Sequence, residues 1–298
     1  MSLPGWGQTA ALRLLVIGAN GFIGGRLAQA ARGRFTVIAA GRNHCEIPAD
    51  ITDPASVAAA FDSARPDVVA LTAGLADIDL CERDPAKACE TNVTGTRNVA
   101  SECARTGARL LFTSSGAVFD GACLEYREDS LPRPANVYGA SKAEAEQMVT
   151  ELLPESVIVR LSLVLGFPVR PRTNALLEKL QSSWNSGETV TVPAYECRNA
   201  IDVDTAVAWM LDLAANPDAG GIFHLGSSEA LSRYEIARAL AHTMGYSPEL
   251  VGAGQEPPAG RAPRGRSEFL NPVRIARFSS TPVPTCRQAV ERCVHAVA

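Results

Sequence analysis

Tyr138 and Lys142, a phenol and an amine four positions apart in YGASK (138–142), are the first pair in this sequence with a chemical reading. On a helix that spacing puts both side chains on one face, where they can converge on one bound molecule. A phenol ordinarily titrates at about 10, and a nearby cation favours its anion, which moves it toward a range useful for acid–base work. The spacing is common by chance, so its weight depends on the surrounding elements.

A second candidate is the run GANGFIG (18–24), which follows a short apolar stretch and precedes a helical one. Glycines allow a tight turn, let the backbone approach a pyrophosphate, and let helix and strand pack closely. The unpaired N–H groups of the first helical turn then favour a phosphate. Any tight strand-to-helix turn can use three glycines, but the position after an N-terminal strand favours a dinucleotide, held by Gly18, Asn20, Gly21, Phe22, Ile23 and Gly24. A positively charged oxidised nicotinamide would further stabilise a Tyr138 phenolate.

Selectivity between dinucleotides is expected near AGRNH (40–44), where NAD-preferring sites usually carry an acid for the ribose hydroxyls. No acid is present there, and Arg42 could instead pair with the 2′-phosphate of NADP through its forked donors, so NADP is expected rather than NAD. A solvated loop arginine is the competing reading. Asp50 and Ile51 precede the next helix, where the Asp50 carboxylate could accept from an adenine amino group or serve in a helix-capping turn.

The elements that position these residues follow a βαβ rhythm. Residues 12–17, 35–40, 68–72, 110–113 and 157–161 are apolar and β-branched without alternation, as expected of strands buried on both faces. Alanine-rich stretches of helical spacing, 22–32, 54–64, 85–106 and 136–153, lie between them. The expected fold is α/β, a doubly wound parallel Rossmann-type sheet with a smaller C-terminal substrate-binding unit. The boundaries are 1–166 for the dinucleotide-binding domain, returning at about 198–226, and 167–298 for the smaller, discontinuous one, where prolines break the chain.

Composition narrows the partners. The 298-residue chain has a formal net charge of −4 and its basic residues are scattered rather than gathered into an extended run, so neither nucleic acid nor an anionic membrane is an expected partner. Its eight cysteines form no CxxC pair and, with its four histidines, show no zinc-ligand spacing, so no metal site is expected and the thiols are read as reduced. The apolar runs are too short to cross a bilayer and no charged leader precedes an apolar core, which points to the cytoplasm. Residues 1–10 are assigned no function.

The context of Tyr138 adds LFTSSGAVFDG (111–121), EYRE (125–128) and Pro134 ahead of it. DLCERDPAKACETNVTGT (79–96), VRLSLVLG (159–166), GIFHLG (221–226) and LSRYEIA (231–237) complete the pattern. Together these segments resemble the extended short-chain dehydrogenase/reductases, and within them the dTDP-4-dehydrorhamnose reductase-like group, over nearly the whole chain after Ala10. The resemblance implies a proton from Tyr138 to a ketone, a pKa-lowering role for Lys142, a hydroxyl from Ser115 on the reacting oxygen, and hydride from the nicotinamide. It also implies that Asn92 lies near the cofactor and that Ala73 and Gly74 border the nicotinamide ribose. Elsewhere a strand-end hydroxyl or a helix-interior amide would explain Ser115 or Asn92 equally.

The chain departs from that group at Gly116 and Ala117, where the rhamnose-forming reductases place Asp and an aromatic. Sugar-nucleotide dehydratases place an Asp-Glu pair there, so dehydration is not expected. The expected substrate is a keto group on a nucleotide-activated sugar, anchored by the C-terminal unit with Arg264 and Asn174 as candidate contacts. Arg264 stands in the basic run RAPRGR (261–266), suited to a pyrophosphate or simply to solvent. The alternatives are a nucleotide-sugar epimerase with bound NAD and a non-catalytic NADP-binding regulatory subunit; a homodimer is compatible with all three.

Overall fold

The computed structural model describes residues 11–170 and 176–295. Strands β1 (Arg13–Ile17), β2 (Thr36–Gly41), β3 (Ile47–Pro48), β4 (Val68–Leu71), β5 (Arg109–Ser115) and β6 (Val157–Leu161) join Gly221–Leu225 in one seven-stranded sheet. Across the sheet the order is Gly221–Leu225, β6, β5, β4, β1, β2, β3, and every pairing is parallel. The chain steps outward from β1 to β3 and then crosses to β4 on the other side of β1. That reversal opens a crevice at the carboxyl ends of β1 and β4, the place where open α/β sheets bind ligands.

The sheet is apolar because both faces are covered. Leu14, Leu15, Val16 and Ile17 of β1 and all four residues of β4 are at most 1 % exposed. Even-numbered β1 residues pack with Trp209, Met210 and Leu213, whereas Leu15 and Ile17 pack with Phe61, Val99 and Val149 on the opposite face. Alternate residues of one strand therefore feed two cores.

Helices α1 (Phe22–Ala30), α2 (Pro54–Ala64), α3 (Ile78–Arg83), α4 (Pro85–Cys89), α5 (Gly95–Thr106) and α6 (Val137–Leu152) start where local chemistry allows. Asp53 accepts from the Ala55 N–H ahead of α2, Asp77 from Leu80 ahead of α3, and Asp84 from Lys87 ahead of α4. Pro54 and Pro85 occupy first-turn positions, where a missing N–H costs nothing.

The continuous helix expected over 85–106 is interrupted. A π-helical turn, Glu90–Thr94, separates α4 from α5. The wider turn brings Asn92 inward, where its amide is 1 % exposed and makes three bonds outside its own helix.

Gly221–Leu225 adds to the edge of the main sheet beside β6, so the chain returns there after the breaks at 166–200. A separate apolar cluster, including Leu165, Leu177, Trp184, Ile236, Leu240 and Val290, holds the later elements. No helix of the described residues is long and apolar enough to cross a membrane.

Beneath the sheet edge, Arg160 of β6 is 1 % exposed and pairs with Glu146 of α6 at 2.7 Å. Its Nη1 lies 3.4 Å from Nε2 of the fully buried His224. Burial first, and the Arg160 charge second, hold the His224 imidazole down at about 3. An unfolded chain's histidine protonates near the ordinary 6.5, so the unfolded state binds more protons between about pH 6.5 and 3 and stability falls as pH drops through that window. The slope from this group is at most about 1.4 kcal/mol per pH unit. His224→Gln should lose stability less steeply with acidification, by about one proton's worth, in denaturant titrations run across that window. Equal slopes in both proteins would remove His224 as the source.

Candidate active site

The glycine loop is closed by backbone approach. Gly18 and Ala19 both donate to the Ala40 carbonyl, and Gly18 has φ +97°, which favours glycine. A Cβ on Gly18 would lie 2.6 Å from the Ala73 nitrogen, and one on Gly24 would lie 2.3 Å from the Gly18 carbonyl oxygen. Gly21 precedes α1 with no side-chain cap and no acid in the first turn, so the Phe22, Ile23 and Gly24 amides present a positive helix end. These residues fit a dinucleotide pyrophosphate: a cradle that side chains would fill, at the switch point of the sheet.

Around the loop, Asn20 is bonded on both sides, donating to the Asn43 carbonyl and accepting from Arg170 Nη1, which also reaches the His44 carbonyl at 2.9 Å. Arg170 was not singled out in the sequence, since nothing local marks a residue some 150 positions away as a brace of this loop. Arg42 is exposed and makes no ion pair among the described residues. Asp50 uses Oδ1 to accept from the Thr52 amide (3.0 Å) and hydroxyl (2.8 Å), bonds that, ahead of the Arg42 charge, hold its carboxyl below the usual range. Asp53 rather than Asp50 caps α2. Ile51 is buried and its carbonyl accepts from Asn98 at 2.8 Å, while its side chain fills the space beside Gly95.

Ser115, Tyr138 and Lys142 come together at the carboxyl end of β5. Asn136 caps α6 by accepting from the Gly139 N–H at 2.8 Å, and a Cβ on Gly139 would lie 2.0 Å from the Ala117 carbonyl oxygen. That close approach seats the first turn of α6 on the short turn after Ser115. Lys142 is 5 % exposed and donates from Nζ to the Thr113 carbonyl at 2.9 Å. A Cβ on Gly74 would lie 3.5 Å from that Nζ and 3.1 Å from Asn92 Oδ1, so the Ala73–Gly74 turn faces both groups.

Asn92 holds this turn. Its Oδ1 accepts from the Leu75 N–H at 2.8 Å, and its Nδ2 donates to the Leu75 carbonyl at 3.1 Å and to Ser141 Oγ at 3.0 Å. All its amide hydrogens are used within the protein, so Asn92 shapes the wall of the site through Leu75. Ser141, between Tyr138 and Lys142 in the sequence, links that wall to α6 and was not marked by spacing alone.

Burial decides the titration of the pair. Desolvation pushes the Tyr138 phenol up to about 12, with the Ser115 hydroxyl pulling the other way, and it pulls the Lys142 ammonium down to about 8 despite Glu146 one turn along. The lowering of the phenol expected from Lys142 does not figure among the influences on it: burial dominates, and the charged neighbours that act on it, Cys81 and Glu268, raise it further. At neutral pH the phenol keeps its proton and Lys142 remains mostly charged.

Of the substrate-side candidates, Arg264 forms a two-pronged ion pair with Asp79 at 2.8 and 3.1 Å, which holds the Asp79 carboxyl at about 2. A pyrophosphate would have to compete with that carboxylate. Asn174 lies outside the described residues. A cavity of about 440 Å³ between helices Arg233–Thr243 and Cys286–His295 shares no residue with the triad.

A doubly wound parallel sheet, a glycine cradle at its switch point and a Ser-Tyr-Lys set at the end of β5 define an extended short-chain dehydrogenase/reductase, a class of NAD(P)-dependent oxidoreductases. Residues 12–298 match the family described as the RmlD substrate binding domain, and the chain belongs to that family. It is 30 % identical over 291 residues to the dTDP-4-dehydrorhamnose reductase of Mycolicibacterium smegmatis, covering 96 % of this chain and 86 % of that one. It is also 27 % identical over 290 residues to methionine adenosyltransferase 2 subunit beta of Xenopus laevis, covering 92 % and 87 %. Among solved structures, dTDP-4-dehydrorhamnose reductase of Bacillus anthracis in complex with NADP superposes with a TM-score of 0.87 at 24 % identity, covering 96 % of this chain and 99 % of that one. UDP-glucose 4-epimerase of Thermus thermophilus, complexed with NAD, gives 0.82 at 23 %, covering 95 % and 98 %.

The Gly24 contact has a direct test. The atom a Cβ would meet is backbone, so Gly24→Ala must displace α1 from β1, at a cost of about 1–3 kcal/mol of overpacking. The variant should melt several degrees lower and bind dinucleotide at least about tenfold more weakly, read by thermal denaturation and cofactor titration. Unchanged values would mean that the loop is not packed as described.

Proposed function

We propose that the protein reduces a keto group on a nucleotide-activated sugar, using NADPH, with Tyr138 as the proton donor. The observation that carries this reading is a buried Tyr138 set beside Ser115 and Lys142 at the end of the strand next to the dinucleotide crevice. Bound NADPH would supply the hydride to the carbonyl carbon. Ser115 would hydrogen-bond the carbonyl oxygen, and Tyr138 would give that oxygen its phenolic proton as negative charge develops there. Lys142, fixed by the Thr113 carbonyl, would stabilise the phenolate left behind and, on the Gly74 side, bond the nicotinamide ribose. Arg42 would pair with the 2′-phosphate, and the Phe22, Ile23 and Gly24 amides with the pyrophosphate.

A regulatory role without turnover is the second reading, supported by the likeness to the methionine adenosyltransferase beta subunits over nearly the whole chain. Turnover separates the two. Tyr138→Phe should keep the fold and NADPH binding and lose roughly 10²- to 10⁴-fold in kcat on dTDP-4-dehydrorhamnose, because only the transferable proton is deleted. Lys142→Met should weaken NADPH binding as well. Near wild-type turnover by Tyr138→Phe would refute the mechanism. Inactivity of the unmodified protein toward a panel of keto sugar nucleotides would favour the regulatory reading.

Cofactor choice has its own test. Arg42 is exposed, so its bond to a phosphate should lie at the weak end of charged hydrogen bonds, worth about tenfold in affinity. NADPH should bind more tightly than NADH to the wild type, and Arg42→Ala should remove most of that difference. Equal affinities for the two cofactors in both proteins would take Arg42 out of the site.

A further inference from the structure

Gly116, directly after Ser115, leaves a space at the reacting end of β5, and that space is filled from a distant part of the chain. A Cβ on Gly116 would lie 3.3 Å from Oε2 of Glu268 and 3.3 Å from Leu270 Cδ1. Glu268 belongs to a two-residue strand, Ser267–Glu268, which pairs in parallel with Cys197–Arg198. Its side chain is 12 % exposed, and its Oε1 sits 2.9 Å from Arg198 Nη2. Oε2 accepts no hydrogen bond among the described residues. One oxygen of this carboxylate is therefore held by a guanidinium, and the other is directed at the turn that carries Ser115. Burial raises the Glu268 carboxyl and the Arg198 charge opposes that, and Glu268 in turn is among the residues that raise the Tyr138 phenol.

An enclosed carboxylate oxygen beside a carbonyl-binding hydroxyl is suited to accept a hydrogen bond from a neutral donor on the substrate. Resting on the reading above that the substrate is a keto sugar, we infer that Glu268 is a specificity residue whose Oε2 accepts from the sugar hydroxyl on the carbon next to the ketone. The substrate class this selects is a keto sugar nucleotide with that hydroxyl free. The site then recognises from the C-terminal segment what residue 116, lacking a side chain, cannot recognise from β5. Arg198 fixes which oxygen is presented, because it holds Oε1 and leaves Oε2 toward the site.

Glu268→Gln tests this without changing shape. The Arg198 guanidinium has only donors, so the new amide must turn its carbonyl toward Arg198 and its NH2 toward Gly116, which replaces an acceptor with a donor. With dTDP-4-dehydrorhamnose, kcat/KM should fall about 10- to 100-fold, the size of a charged hydrogen bond. With an analogue lacking the hydroxyl next to the ketone, it should fall by no more than about twofold, and the NADPH Kd should stay unchanged in both cases. Gly116→Ala, whose new methyl crowds Oε2, should show the same substrate preference in its losses. Equal losses on the two sugars, or none on either, would overturn the role of Glu268 while leaving the reductase reading intact. If the wild type turns over neither sugar, calorimetric binding of the same pair to wild type and Glu268→Gln decides the matter. A preference for the hydroxylated sugar that the variant lacks would support the assignment even as the reductase reading fails, and absence of any preference or any binding would overturn it.

Discussion

The arrangement depends on one desolvated cation, Lys142, and the carbonyl that receives it. An ammonium buried to this degree is disfavoured, and its value near 8 records that cost. Thr113 supplies a carbonyl at 2.9 Å because β5 runs one strand beyond β4 and ends beneath α6. Glu146, a turn further along α6, adds negative charge, and it is itself matched by Arg160 on β6. The ammonium and carboxylate of α6 and the guanidinium of β6 thus lie in series between helix and sheet, and His224 beside Arg160 stays neutral. Buried ion pairs of this kind contribute little net stability against an apolar alternative, yet breaking one leaves an uncompensated charge. Their effect here is to fix α6 in rotation and height over the sheet, which in turn places Tyr138.

The C-terminal segment is attached to this frame through a set of polar contacts, beside the apolar packing of Leu270 and Ile275. Glu196, fully buried, is surrounded by Arg198, Arg233 and Arg261. Asn136, which caps α6, also donates to the Pro263 carbonyl at 2.9 Å, and Asp79 of α3 takes Arg264 and the Ala262 N–H. The segment that borders the Ser115 turn is thereby bonded to the cap of α6. A change in the charge balance around Glu196 would reach Arg198 and then Glu268. Part of the basic run 261–266 consequently serves as internal counter-charge, with Arg261 paired to Glu196 and Arg264 to Asp79.

Much of this architecture was legible in the sequence because it rests on local rules. Unbroken apolar runs marked the five central strands of a sheet covered on both faces, and the glycine spacing marked the turn where backbone meets backbone. Positions 138 and 142 could be paired from helical geometry, and Ser115 from its place in a longer pattern. What could not be read depends on contacts between distant positions. The π turn at Glu90–Thr94 has no compositional sign, since it is stabilised by Leu75 and Ser141, 17 and 49 positions from Asn92. Glu268 stands in a polar stretch without periodicity, and only the parallel pairing with Cys197–Arg198 brings it to Gly116. Arg264 stood out as a free cation because its partner, Asp79, lies 185 positions away.

The phenol itself shows how burial and chemistry combine. A cation nearby would by itself favour the phenolate, but removing Tyr138 from water costs its anion more than the surrounding groups return, so the folded chain holds a neutral phenol up to about 12. A neutral phenol is the form required to donate. An alkoxide developing at a carbonyl that receives hydride is more basic than a phenolate, so on the proposed reading transfer from Tyr138 would be downhill even from a raised pKa. A role in the reverse direction, abstracting a proton from an alcohol, would need the anion, and hence a positive charge beyond Lys142 close to the ring. A bound oxidised nicotinamide would supply such a charge in that direction. In the reducing direction a bound dinucleotide would bring no such charge, and the burial imposed by α6 against β5 is by itself enough to favour the protonated phenol.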